Sequence, residues 1–219
     1  MTGSEFIARV FPYIAVGFFF VGTAWRFIHW LSLPVHVKWT LYPVPTGIAG
    51  QLKYMVKEIF TFETLYRFNR RLWAGTFTMH MAMLGFVIFL VLCLMGWTSG
   101  LPVRFFLWVL LISLIYIIML RIFDRNLRAL STFEEHFNLI FMALVTATGL
   151  MASLPHGSFS PRSYIESLLT FQPGGTPLDW DQRLAVLLGG LFLIYLPWSK
   201  MIHYISKYFT YHHINWQKE

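Results

Sequence analysis

Residues 184–198 read LAVLLGGLFLIYLPW and carry no charge at all. No soluble surface is built from such a run. With its flanks, out to residue 208, it is long enough to cross a bilayer, which takes about 20 apolar residues. Inside hydrocarbon each backbone polar group must find a partner within its own segment, so the run is expected to be helical. Four further runs of the same kind lie at residues 7–30, 72–97, 102–122 and 136–154. The expected fold is therefore all-α: an integral membrane five-helix bundle, one domain over residues 1–219, with one long cytoplasmic loop at residues 31–71. Composition agrees, at 57% hydrophobic, 19% aromatic and only 12% charged residues, with a mean hydropathy of +0.58. A soluble domain does not look like this.

The charges fix an orientation. A net charge of +7 on a soluble chain would raise nucleic-acid binding. Here the cations sit in loops, which argues for membrane topology instead and against a nucleic-acid partner. The loop after the first span carries Lys38, Lys53, Lys57, Arg67, Arg70 and Arg71, with Arg26 at its edge. Arg125 and Arg128, with Arg121, follow the third span, and Lys200, Lys207 and Lys218 end the chain. These are 13 of the 17 cations; Arg9, Arg104, Arg162 and Arg183 face the other side. The positive-inside rule then puts the N-terminus outside and the C-terminus in the cytoplasm. The N-terminus has no basic region followed by a cleavage site, so the first run is read as a retained helix. Within the long loop, QLKYMVKEIFTFETLYRFNRRLW is amphipathic and should lie on lipid headgroups or against a partner. In residues 155–182, RSYIESLLTF suggests a short helix and QPGGTPLDWD suggests turns.

Histidines carry the candidate chemistry. An ionisable residue inside a membrane span is a functional candidate by default. His80 lies eight residues into the second span, about 12 Å deep at 1.5 Å per residue. His203 lies near the same end of the antiparallel fifth span. Two helices of a bundle that each offer one imidazole at one depth suit a bis-histidine haem; two packed polar residues would leave the same trace. Thr76 and Ser199 each precede a histidine by four residues, where a hydroxyl or a backbone carbonyl can orient the ring. Met79, Met81 and Met83 flank His80, either as core filling or as a thioether ligand. Pro197 should kink the fifth helix. His29 and His136 also face the cytoplasmic side, as structural residues or as ligands to a second iron. His36, His156, His212 and His213 fall in loops and the tail. The single cysteine, Cys93, supports neither a disulfide framework nor an iron–sulfur cluster. Ser167, Asp179 and His156 share a loop but form no nucleophile elbow. Gly189 and Gly190 lie in a span, where close helix packing explains them.

Several segments then take on a joint meaning. FPYIAVGFFFVGTAWRF (11–27), LWAGTFTMH (72–80), TGLMASLP (148–155) and above all LFLIYLPWSKMIH (191–203) resemble the gamma-subunit family of respiratory nitrate reductases, five-helix membrane cytochromes b. The resemblance implies a haem b on His80 and His203. It also implies electron exchange between quinone, here menaquinone, and a cytoplasmic iron–sulfur subunit, in a bacterial or archaeal cytoplasmic membrane. Family members of that type carry a second, outer haem, and the corresponding ligand positions here are Leu90 and Ala185. Ala185 is 18 residues from His203, about 27 Å along one helix face. Neither residue can bind iron, so one haem is expected. That departure is similar to the branch found in sulfate-respiring complexes, whose partners are a heterodisulfide-reductase-like iron–sulfur protein or a periplasmic multihaem cytochrome c. Arg26 and Lys207 are candidates for the haem propionates, and Trp97 and Arg104 for a quinone near the outer face. Such a chain supplies orientation and tuning of the iron. The rival readings are a haem-free membrane anchor and a small transporter; the absence of acidic residues within the spans weighs against the latter.

Overall fold

Residues 2–33, 47–97, 101–153, 161–171 and 178–209 are described by the computed structural model. Among them no strand occurs, and the chain runs as helices α1 (Gly3–Arg9), α2 (Phe11–Ser32), α3 (Gly47–Thr61), α4 (Glu63–Phe68), α5 (Arg70–Leu94), α6 (Leu101–Phe123), α7 (Arg125–Leu130), α8 (Phe133–Ala152), α9 (Pro161–Leu169), α10 (Trp180–Tyr195) and α11 (His203–Phe209). Four of these, α2, α5, α6 and α8, are long and apolar enough to cross a membrane. That makes the chain an all-helical protein of membrane type.

Local chemistry sets the helix starts. Thr2 with Glu5, Thr132 with Glu135 and Asp179 with Gln182 form capping boxes on α1, α8 and α10. Each satisfies orphan N–H groups at both ends of a short loop of hydrogen bonds. The Asn69 side chain accepts from the Leu72 amide at 3.0 Å to open α5. The first apolar run comes in two pieces. It bends at Val10, and Pro12 then sits in the opening turn of α2, where its missing N–H costs nothing.

The fifth run differs from the single kinked helix expected over residues 184–208. Its α-helix stops at Tyr195, two 3-10 turns follow at Leu196–Trp198 and Lys200–Ile202, and α11 begins at His203. Pro197 has no N–H for the Leu193 carbonyl and ends the ladder. Ser199 is extended, with ψ 168°. Its buried hydroxyl donates to the Leu196 carbonyl at 3.0 Å and accepts from the Met201 amide at 3.1 Å. With 16 residues, α10 alone reaches about 24 Å, short of a hydrocarbon core of roughly 30 Å.

Neighbouring helices follow the order α5, α6, α8, α10, α2. Among the described residues α5 and α10, which lead to the two histidines, form no comparable interface. The core joins Ala82 of α5 to Leu110 and Leu114 of α6 and Met142 of α8, with Met79, Phe192 and Met201 around them. Small residues allow the closest approaches. A Cβ on Gly75 would stand 2.7 Å from the Tyr116 ring and 2.8 Å from Ile117 Cγ1. One on Gly22 would stand 3.0 Å from the buried Pro197 ring. Between α8 and α10, the Tyr195 hydroxyl donates to buried Asn138 Oδ1 at 2.6 Å. At the far end the Tyr13 hydroxyl donates to the Leu168 carbonyl at 2.6 Å, and that of Tyr164 to the Ala8 carbonyl at 2.8 Å, so α9 is tied to α1 and α2. Phe18, Phe20 and Val21 of α2 and Leu84, Val87 and Val91 of α5 remain exposed, as lipid-facing side chains must.

Two variants test this packing by thermal unfolding in detergent. Gly75→Val overfills the α5–α6 contact and should lower stability by about 1–3 kcal/mol. Tyr195→Phe strips a donor from a buried amide and should cost about 1 kcal/mol; a loss near zero would mean that the bond does not tie α8 to α10.

Candidate functional site

The His80 and His203 rings meet. Their centroids are 5.9 Å apart and their planes cross at 69°. They come from helices separated by more than a hundred residues, at the end of the bundle where α10 breaks off. His80 Nδ1 lies 2.7 Å from the Thr76 carbonyl oxygen. A carbonyl only accepts, so Nδ1–H is the donor, and in a neutral imidazole Nε2 then carries the lone pair. That is the tautomer a metal-binding histidine uses, oriented by a backbone carbonyl. A metal at about 2 Å from one nitrogen of each ring, itself about 1.1 Å from the ring centre, allows centroids up to roughly 6.2 Å apart when the two rings face each other across it. The observed spacing is a few tenths of an ångström from that value. The orienting group on His80 is the carbonyl of Thr76, not its hydroxyl. Ser199 acts differently from the expected ring contact, since its hydroxyl closes the turn that aims the chain toward His203.

His203 is held by what surrounds it in sequence. Ile202 is buried and Met201 joins the core. The Lys200 amide donates to Glu134 Oε1 at 3.0 Å, and its ammonium pairs with Glu134 Oε2 at 3.5 Å. The break is therefore tied to the first turn of α8. Beyond it, buried Phe209 packs edge-on against Phe27 and Trp30 of α2, at 5.5 and 5.6 Å. Anchors thus stand on both sides of His203, which is itself exposed.

His80 is met from the other side by the segment before α5. Phe62, between α3 and α4, places its ring 4.8 Å from the imidazole. Trp73 Nε1 donates to the Thr61 carbonyl at 2.8 Å, and Trp73 stacks on Phe77 at 5.0 Å. Glu63 pairs with Lys57 at 2.7 Å and with Arg67. Hydrogen bonds from Lys57 and then Arg67 hold its carboxyl below the usual carboxylate range. Nothing in TFETL marks Phe62 as special: an aromatic residue in a left-handed turn gives no sequence signal.

The remaining expected residues are scattered. Arg26 lies in α2 with its guanidinium 5.6 Å over the Trp198 ring and Nη2 3.5 Å from the Trp198 carbonyl. Its Nε and the Thr23 hydroxyl, one turn away, are buried without a hydrogen-bond partner among the described residues. Lys207 falls within α11, but its side chain lies outside the described residues, as do His36, His156, His212 and His213 and the 172–177 turns. The amphipathic stretch expected as one interfacial helix is instead α3 and α4, broken at Phe62 and leading into α5, and the short helix after residue 160 is α9. Met79 packs in the core, whereas Met83 is exposed. His29 is exposed at the end of α2, and His136 Nδ1–H donates to the Thr132 carbonyl at 3.0 Å. Trp97 and Arg104 stand at the far ends of α5 and α6. α5 carries the chain about 21 Å beyond His80 before it ends at Leu94, and Trp97 follows in a turn whose amide donates back to the Leu92 carbonyl at 2.9 Å. A lipid-facing groove of about 360 Å³ lies nearer His80, between Ala74, Gly75 and Thr78 of α5 and Val109, Ser113 and Tyr116 of α6. Leu90 and Ala185 are half-buried and offer no donor atom. Among the described residues no three His, Cys, Asp or Glu side chains cluster as a metal site.

No protein-family model matches the chain, and no curated protein is significantly similar to it.

The α3–α4 corner should respond to acid. A depressed carboxyl pKa adds stability that is present above the unfolded pKa and lost as pH falls through the folded value. Protection of the Phe62–Tyr66 amides, relative to their intrinsic hydrogen-exchange rate at each pH, should therefore fall through and below the ordinary glutamate range. Glu63→Gln should show fast exchange at every pH; unchanged protection would detach the ion pairs from the corner.

Proposed function

We propose that this chain is the haem b subunit of a membrane electron-transfer complex, with His80 and His203 as the two axial ligands. One observation carries the reading. Two imidazoles remote in sequence converge at metal-bridging distance in an otherwise apolar bundle, one with its Nδ1–H already committed to a carbonyl. When bound, a haem b supplies a one-electron iron couple. The chain's own residues do the rest. Thr76 fixes the His80 tautomer and raises its basicity. Ser199, Glu134 and Phe209 hold His203 in place from the broken helix. The buried, unpaired Nε of Arg26 and the hydroxyl of Thr23 fit a carboxylate such as a propionate, which forms strong charge-assisted hydrogen bonds with a guanidinium. Leu90 and Ala185 leave the opposite end without ligands, so a single haem is proposed.

In this reading α10 and α11 together make a fifth crossing, the N-terminus is outside, and the α3–α4 loop and the C-terminus face the cytoplasm of a bacterial or archaeal cell. Electrons pass between menaquinone and an iron–sulfur subunit at the cytoplasmic face, with a periplasmic multihaem cytochrome c as the further partner. A quinone beside Trp97 and Arg104 would stand past the far end of α5, about 21 Å along that helix from His80. The groove at Thr78 lies at His80's own level and suits a one-haem relay better.

The test is a reduced-minus-oxidised visible spectrum of the purified protein, with pyridine-haemochrome stoichiometry. The expected result is a b-type band, one haem per chain, lost in His80→Ala and in His203→Ala. A colourless protein from haem-replete cells would make the chain a haem-free anchor in which the rings merely pack.

A further inference from the structure

Phe62 has φ 50° and ψ 43°, in the left-handed region. A bulky side chain meets a steric penalty there that glycine does not. Such strain persists only where the surroundings over-determine it, and it gathers at functional sites. Here the surroundings are visible. The Phe62 amide donates to the Glu58 carbonyl at 3.0 Å, and the Phe62 carbonyl accepts from the Tyr66 amide at 2.9 Å. Trp73 holds the preceding carbonyl, of Thr61, at 2.8 Å, and packs edge-on against Tyr66 at 4.9 Å. Lys57 and Arg67 bracket Glu63 across the corner. The outcome is a ring set 4.8 Å from the His80 imidazole and 6.5 Å from Phe77. A glycine at 62 would turn the chain with less strain but put nothing against His80.

We propose that Phe62 is a positioning residue for His80: the α3–α4 corner is held in a strained turn so that its aromatic ring clamps the imidazole and keeps water from it. Thr76 fixes the ring at Nδ1, and Phe62 limits its rotation from the side. The clamp rests on the geometry of this corner. Only its effect on iron rests on the haem reading above.

Phe62→Gly separates fold from function, because it relieves the backbone while it deletes the ring. Its thermal midpoint should equal or exceed that of the parent. Two readouts then follow. In haem-free protein, modification of His80 by diethyl pyrocarbonate should speed up at least several-fold in Phe62→Gly and Phe62→Ala, and return to the parent rate in Phe62→Tyr. In haem-loaded protein the same two variants should keep haem but show a shifted low-spin signal and a lower midpoint potential, again rescued by Phe62→Tyr. Parent-like His80 reactivity in Phe62→Gly overturns the clamp, whatever the haem content. A clamp seen in the first readout, together with a parent that never takes up haem, would leave the positioning role standing and remove the electron relay.

Discussion

A single missing N–H, at Pro197, shapes the end of the bundle that matters. Without that donor α10 cannot continue, and hydrocarbon does not forgive an unsatisfied carbonyl. The chain responds with two 3-10 turns, and the Ser199 hydroxyl stitches them together, donating to the Leu196 carbonyl and accepting from the Met201 amide. The break then has to be packed. Gly22 leaves room for the proline ring, Glu134 takes the Lys200 amide, and Phe209 is caught between Phe27 and Trp30. A straight helix would carry residue 203 along the axis of α10. The broken one starts a new helix at His203 and brings it against a histidine of a helix that α10 hardly touches.

Two different mechanisms therefore hold the pair. His80 sits within an uninterrupted helix, and a backbone carbonyl one turn back sets its tautomer. His203 sits at a helix start, placed by anchors before and after it. An imidazole in a low-dielectric site is costly unless its nitrogens have partners. One His80 nitrogen is committed to the Thr76 carbonyl. The same physics applies to Arg26, whose buried Nε lies beside the break without an acceptor among the described residues. Both features sit at one end of the bundle. The other end is closed instead by tyrosine-to-carbonyl bonds between α9, α1 and α2, and burial, together with the nearby Tyr13, pushes the Tyr164 hydroxyl up to about 12.

Much of this was legible in the chain, for identifiable reasons. Apolar runs of spanning length announced α2, α5, α6 and α8, because composition alone decides what a bilayer accepts. The depth argument put His80 and His203 at one level on antiparallel helices rising 1.5 Å per residue, and their ring centroids lie 5.9 Å apart. Pro197 announced an irregularity, but not its size. Whether a proline kinks or breaks a helix depends on tertiary bonds such as those of Ser199 and Glu134, which no spacing encodes. Thr76 offered a hydroxyl or a carbonyl, and the carbonyl is the group that meets His80. Phe62 was invisible, because its role comes from a left-handed turn that its residue type disfavours. Trp97 and Arg104 were chosen for residue type at the outer face, and their separation from His80 follows from the length of α5 alone.

The central claim is that two imidazole nitrogens share one iron. Iron-edge X-ray absorption of the oxidised protein, with low-temperature electron paramagnetic resonance on the same sample, tests it most directly. The account predicts six-coordinate low-spin iron, with two axial imidazole nitrogens at about 2 Å and a signal set by crossed ring planes. Five-coordinate or high-spin iron, a sulfur in the first shell, or no iron at all would contradict it.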